Sequence, residues 1–427
     1  MGWDVNHARG LLGLAVIIGI GWALSENRRC IPWRTVIGGM VLQVALLLLL
    51  FALAPVRRAL LGLNDAVDAL SSATQAGTSF VFGYIGGGKA PFAVVNTDVG
   101  PSFFFQILPF IIVVAAISAV LWHWKVLQWI SHLFARLFER SLGLGGAVSL
   151  ATAANVFLGM VESVVIIGRY FNRLSRSELF VVMVTGLSTV AGSVMLLYAL
   201  LIESVLPNAI AHLVAASLIS APAGVVLALL MVPEAPGVVP TGREEGDQEG
   251  VYRSTVDAFS SGVEEGLRLL LNIAAMIIAV LATVALVDMG LKALPDLAGG
   301  PLSIERLLGW LFAPMMWLIG VPWGEAVTAG SVMGAKITMT EIMGFIRLSQ
   351  LDETLSARTI AILIYCVCGF ANLASLGIML AGFNAIAPER RSDVAGLLFR
   401  SLLAATLANL STGALVAMLP VTWIGLG

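Results

Sequence analysis

Charge is what this sequence lacks. Only 12% of its 427 residues are Asp, Glu, Lys or Arg, and 59% are hydrophobic. Water-soluble domains carry about 25% charged residues, so the chain is built for a different solvent. The apolar character runs from end to end, with a mean hydropathy of +0.95, which favours one membrane-embedded unit over a string of soluble domains. Cysteine is scarce as well. Cys30, Cys366 and Cys368 cannot form a disulfide framework, and the Cys366-x-Cys368 pair lies in an apolar run without a nearby histidine, so structural thiols are expected there. The four histidines, His7, His123, His132 and His212, are scattered near segment ends, where interfacial placement is expected. No His–carboxylate metal motif or nucleophile elbow is present to support enzyme chemistry. A net charge of −2 gives no basis for a nucleic-acid partner. No cleavable signal peptide is evident, because the first apolar run leads straight into further membrane segments.

What is there is a series of long apolar runs. A span needs about 20 apolar residues, and suitable stretches lie near 10–24, 35–54, 103–122, 179–202, 209–232, 267–288, 359–383 and 395–420. The expected fold is all-α and polytopic, with about eight transmembrane helices. Residues 57–100 read as an amphipathic interfacial helix followed by a loop. Two apolar stretches, 142–170 and 305–346, are interrupted by polar residues and glycine. Asn155, Gly159 and Glu162 break the first, and Pro322, Gly324 and Glu325 break the second, with Glu325 at a candidate hairpin tip. Interrupted backbone is tolerated at membrane depth only where protein or a water-filled cavity satisfies it, so both are expected to be re-entrant helical hairpins.

Basic residues in short loops set the orientation. With Arg28, Arg29 and Arg34 in the cytoplasm, treating both broken stretches as re-entrant also places Lys125, Arg136, Arg140, Arg169, Arg173, Arg176, Arg390 and Arg391 inside and leaves fewer positive charges on the opposite face. The expected organisation is N-terminal helices over 1–141, a first hairpin with two spans over 142–232, and a cytoplasmic linker over 233–250. A scaffold helix over 251–299 and a second hairpin with two spans over 300–427 complete it.

Ionisable groups at a helix centre cost about 2.5–3.5 kcal/mol on insertion scales and usually face a cavity. Asn155, Gly159 and Glu162 fall at i, i+4 and i+7. An interhelical hydrogen bond would account for Asn155 alone but not for Glu162 beside it. Gly186-Leu187-Ser188-Thr189-Val190-Ala191 and Gly369-Phe370-Ala371-Asn372-Leu373-Ala374 look like related positions in two halves, with Ser193 and Ser375 one turn on. Each pair alone could be a packing contact. A broken hairpin followed by such a helix, occurring twice, is the pattern of inverted-repeat transporters with a midplane site. Lys336 and Glu341, in Gly334-Ala335-Lys336-Ile337-Thr338-Met339-Thr340-Glu341, form a further polar cluster in which a snorkelling Lys336 and an interfacial Glu341 are the structural alternatives.

These clusters, in this order, resemble the concentrative nucleoside transporter family from about Phe103 to Leu419. The resemblance rests on Ala154-Asn155 through Gly159 with Glu162, on Ser177-Glu178-Leu179-Phe180, and on Gly309-Trp310-Leu311-Phe312-Ala313-Pro314. Ile319-Gly320-Val321-Pro322-Trp323, Cys368-Gly369-Phe370-Ala371-Asn372-Leu373 and Ala387-Pro388 extend it. It implies a homotrimer of protomers with eight spans and two opposed hairpins in a bacterial inner membrane, importing nucleosides with a sodium gradient. Carried over, sodium would be held by the Asn155 side chain, the Leu158 carbonyl, Thr189 and the Val190 carbonyl, an all-oxygen shell suited to a hard cation. The nucleobase would meet the first hairpin, and the ribose would meet Glu341, Phe370, Asn372 and Ser375.

Two departures from the family pattern matter. The usual Gly-Gln-Thr-Glu is Gly159-Met160-Val161-Glu162 here, and the usual Asn-Glu-Phe-Val-Ala is Thr340-Glu341-Ile342-Met343-Gly344. An apolar wall of Met160, Val161 and Val194 cannot pair with a base edge, so an altered base preference or a modified nucleoside is expected. Proton coupling, another glycosylated substrate, an intramembrane enzyme using Glu162 and Glu341, and a passive channel remain the rival readings.

Overall fold

The computed structural model describes residues 5–93, 102–203, 205–206, 208–235, 237–239, 241–242, 252–297, 300–351 and 354–420. Among these residues the architecture is helical, apart from one bridge between Leu297 and Gly300. The first part comprises α1 (Val5–Ala23), α2 (Trp33–Ala52), the long amphipathic α3 (Ala54–Phe82) and α4 (Phe110–His123). Two units of similar order follow. One runs α5 (Val126–Leu142), α6 (Gly146–Asn155), α7 (Glu162–Ile166), α8 (Gly168–Phe171), α9 (Arg176–Ser188), α10 (Gly192–Ile202) and α11 (Ala209–Met231). The other runs α13 (Ile304–Leu318), α14 (Trp323–Thr338), α15 (Glu341–Gln350), α16 (Ala357–Val367), α17 (Leu373–Ile386) and α18 (Arg391–Val416), with α12 (Thr255–Leu291) between the two. In each unit a hairpin with an interrupted arm precedes a broken helix pair and a long closing helix.

Six helical runs among the described residues are long and apolar enough to cross a membrane: Trp33–Ala52, Phe103–His123, Arg176–Ile202, Ala209–Met231, Thr255–Leu291 and Pro388–Val416. The two other expected spans differ in form. The apolar part of α1 is Ala8–Ala23, and the run expected over 359–383 divides into α16 and α17, because Cys368 to Asn372 leave the helix. Asn372 caps the new helix, its Oδ1 accepting from the Ser375 amide at 2.8 Å. The span over 179–202 is likewise interrupted at Thr189–Ala191.

The closing helices α11 and α18 form the centre of the core with α2, α9 and α16. α12 stands apart and packs chiefly on α4. A Cβ on Gly266 would lie 2.6 Å from the Ile112 Cα, so small residues let these two backbones touch. At one end of the molecule a capping box starts α9, with Ser175 and Glu178 each satisfying the other's amide at 3.0 Å. The linker docks there: Ser175 Oγ donates to Glu234 at 2.6 Å, and Thr241 N and Oγ1 each donate to Glu178 at 2.7 Å. The linker's start is therefore pinned, whereas Glu244, Glu245, Asp247 and Glu249 lie outside the described residues. Glu26 accepts from Arg176 and Arg400, and Arg390 donates to the Leu174 carbonyl at 3.0 Å. The arginine-bearing loops expected on one side thus meet at one end.

Three expectations need correction. Pro322, Gly324 and Glu325 do not form an inner hairpin tip. The turn before Pro322 joins α13 to α14, and Glu325 accepts from Ser356 Oγ at 2.9 Å at the start of α16. The inner break is instead at Met339–Thr340, a position without proline or glycine. His212, in the first turn of α11, is not exposed but buried within the protein, its Nδ1 3.1 Å from the Tyr365 hydroxyl and its ring stacked on Phe51. Thr189 and Asn372 are not equivalent: Thr189 ends α9, whereas Asn372 begins α17.

Candidate functional site

The two hairpin breaks, the two broken-helix breaks and one face of α12 enclose a single cavity. Gly159, Met160, Val161, Glu162, Val194, Glu341, Phe370, Asn372 and Ser375 all line it. Glu341 is its polar centre. It opens α15, where the helix N-terminus favours a carboxylate, so it is neither at a surface nor unpartnered. Oε1 accepts from the Tyr198 hydroxyl on α10, and Oε2 accepts from Asn372 Nδ2 at 2.6 Å. Three separate elements are therefore fastened by one carboxylate. A hydroxylated solute entering here finds an acceptor pair already oriented, flanked by an amide and by the Phe370 ring.

The opposite wall is apolar. Met160 and Val194 are buried, and Val161 is half-buried. Met160 packs over Gly186, while Val161 fills the space beside Gly382, where a Cβ would lie 2.5 Å from Val161 Cγ2. Glu162 folds back over the break itself, since a Cβ on Gly159 would fall 2.0 Å from its Oε2. A Cβ there would push the Glu162 carboxylate aside. Beyond Glu162 a second cavity opens towards Glu265 and Tyr252.

Three of the four residues expected to hold an ion, Asn155, Thr189 and Val190, lie together at the junction of α6 with the α9–α10 break. Asn155 is buried. Its Oδ1 accepts from Ser163 Oγ at 2.6 Å, and its carbonyl accepts from Thr189 Oγ1 at 3.3 Å. The Val190 carbonyl is 3.4 Å from Ser217 Oγ. Leu158, at the first hairpin's break, faces the second cavity. Every donor is a neutral oxygen, with Ser163 and Ser217 adjacent, which suits a monovalent hard cation. Lys336 is not snorkelling but fully buried, donating to the Cys366 carbonyl at 2.9 Å and to Asn409 Oδ1 at 2.7 Å.

Sequence reasoning missed Tyr198, Asn272 and Asn409. Asn272 lines the cavity from α12. Asn409 donates to the Ser188 carbonyl at 2.8 Å and to the Cys368 carbonyl at 3.2 Å, tying the two broken helices together. Both asparagines lie in long, largely apolar helices, but Asn272 is one turn beyond Arg268 and Asn409 stands just before Ser411 and Thr412, so neither stood out as Asn155 did. Tyr198 offered a weaker cue, because a tyrosine suits an apolar helix without any partner.

Residues 212–417 match the description "Na+ dependent nucleoside transporter C-terminus", residues 12–85 its N-terminus, and residues 104–205 "Nucleoside recognition". The chain is 37% identical to the Bacillus subtilis uncharacterized transporter YutK over 97% of this chain and all of that one. It is 30% identical to the Helicobacter pylori nucleoside permease NupC over 96% of each. The chain belongs to the concentrative, sodium-dependent nucleoside transporter family. The structure of CNTnw in an inward-facing substrate-bound state superposes with a TM-score of 0.87, at 32% identity, covering 96% of this chain and 97% of that one. As a member of this family the protein is an integral membrane transporter of nucleosides and not an enzyme, and its cavity is read in that light.

Proposed function

We propose that the protein is a secondary active symporter that imports a nucleoside with sodium, and that Met160 and Val161 shift its base preference. The observation that carries this reading is the single chamber in which a doubly engaged Glu341 faces an apolar wall across from the α6–α9 junction. The ribose hydroxyls replace Tyr198 and Asn372 as partners of Glu341, Phe370 packs on the sugar, and Ser375 closes the α17 side. The base lies against Gly159, Met160, Val161 and Val194, with Glu162 at the far edge. Because two amide- and hydroxyl-bearing positions of the family are apolar here, base-edge hydrogen bonds are fewer and selectivity is broader or displaced.

Sodium binds through Asn155 Oδ1, the Leu158 carbonyl, Thr189 Oγ1 and the Val190 carbonyl. Its arrival orders the first hairpin's break, which also forms the base wall, so ion and substrate sites share backbone. Each inward positive charge gains about 2.3 kcal/mol per 100 mV of inside-negative potential, enough for roughly 50-fold accumulation. The protomers assemble as homotrimers in the inner membrane, as the resemblance to the family implies.

The test is radiolabelled uptake into proteoliposomes, with competition by purine, pyrimidine and modified nucleosides. Uptake should require a sodium gradient and exceed equilibrium. Uptake indifferent to sodium but driven by a pH gradient would move the coupling role to protons.

A further inference from the structure

The mechanism above leaves one charged core residue without a task. Lys336 is 0% exposed, so its ammonium does not reach water. Its two hydrogen-bond acceptors are neutral, the Cys366 carbonyl and Asn409 Oδ1, and the Glu341 carboxylate acts on it electrostatically without accepting from it. Burying an ammonium is costly, and hydrogen bonds to neutral oxygens offset only part of that cost. Packing alone calls for a methionine at such a place.

Its position in the fold supplies the missing reason. Lys336 lies in the last turn of α14, the first arm of the second hairpin, against the end of α16 where that broken pair parts. In the other unit the corresponding junction joins the end of α6 to the end of α9, and there Asn155 and Thr189 supply oxygens. At both junctions helix carbonyl ends converge, and carbonyl ends attract positive charge. The junctions are also wired together. The Asn409 amide that receives Lys336 donates to the Ser188 carbonyl of α9 and to the Cys368 carbonyl just past α16. Gly369 permits this approach, since a Cβ there would sit 2.5 Å from Asn409 Oδ1.

We propose that the Lys336 ammonium is a tethered cation, occupying in the second unit the place that the coupling ion takes in the first. Only one of the two junctions then exchanges its cation with solution, and the second stays permanently charged and closed. The inference rests on the sodium reading of Asn155 and Thr189.

The test uses the full chain in proteoliposomes, with the variants Lys336→Met, Lys336→Ala and Lys336→Arg, each checked for folding by thermal melting. Wild-type uptake should rise with sodium at a Hill coefficient near 1. Lys336→Met keeps the stem without the charge and should lose about tenfold or more of the uptake. Lys336→Arg should keep most of it. Lys336→Ala should be rescued by ethylammonium, in uptake or, if the variant is unstable, in melting temperature. Full uptake by Lys336→Met, loss in Lys336→Arg equal to that in Lys336→Met, or no response of Lys336→Ala to ethylammonium would each overturn the proposal. Sodium-independent uptake by the wild type would instead sink the sodium reading, whatever the amine does.

Discussion

The first unit ends its leading hairpin arm with Asn155, whereas the second carries Lys336 in the corresponding turn, and the two junctions differ accordingly. Around Asn155 the groups are neutral hydroxyls, carbonyls and an amide, several already exchanging hydrogen bonds among themselves. Such a site is complete without an ion and can be reorganised by one. Around Lys336 the positive charge is covalent, and Asn409 fixes it. One unit is thus suited to respond to a gradient, and the other to hold the cavity's acidic wall in shape. The hairpins' second arms differ in parallel. Both begin with glutamate, yet Glu341 is tied to Tyr198 and Asn372, while Glu162 lies over glycine at the mouth of the second cavity.

The sharpest way to break this comparison is at Glu341. Glu341→Ala leaves the Tyr198 hydroxyl and the Asn372 amide without their acceptor, at about 1–3 kcal/mol each, and deprives the substrate of its own. Nucleoside binding by calorimetry should weaken by about a hundredfold, and near-normal affinity would remove Glu341 from the site.

Asn155→Ala tests the responsive junction. The sodium concentration for half-maximal uptake should rise by about tenfold, with nucleoside binding largely recovered at saturating sodium. An unchanged sodium curve would leave the two junctions functionally alike.

The double variant Met160→Gln with Val161→Thr sharpens the contrast between the polar and apolar walls. Competition uptake should shift several-fold, up to about tenfold, towards ordinary nucleosides, and an unmoved preference order would count against the base wall.

The smallest effect is expected at Glu26, far from both junctions. The Arg176 guanidinium, hydrogen-bonded to it, holds its carboxyl below the usual carboxylate range, with the charge of Arg400 adding to the effect. A lowered folded value means that the stabilisation is present above the unfolded carboxylate value and is lost as pH falls through the lowered one. The carboxylate is 30% exposed and the arginines more so, so Glu26→Gln should cost less than about 1 kcal/mol near neutral pH. Melting curves should converge in acid, and a deficit that persists there would point to packing instead.

Asn155, Thr189, Glu341 and Asn372 were legible in the sequence because each is a polar residue in an apolar run, and that anomaly is local. The interrupted arm at Asn155–Glu162 was legible for the same reason. The second hairpin was misread, because Pro322 and Gly324 are the strongest local breakers and drew the tip to the wrong turn. The true break at Met339–Thr340 carries no such residue and is fixed by what packs around it.

The sequence by itself determined the solvent, the helical class and the broken segments, since composition and interruption of apolar runs are properties of neighbouring residues. Only the tertiary structure decided that Glu325 serves Ser356, that Tyr198 reaches Glu341 across 143 residues, and that Lys336 reaches Asn409 across 73. A buried polar group must find a partner, but nothing in its own segment says which remote helix will provide one.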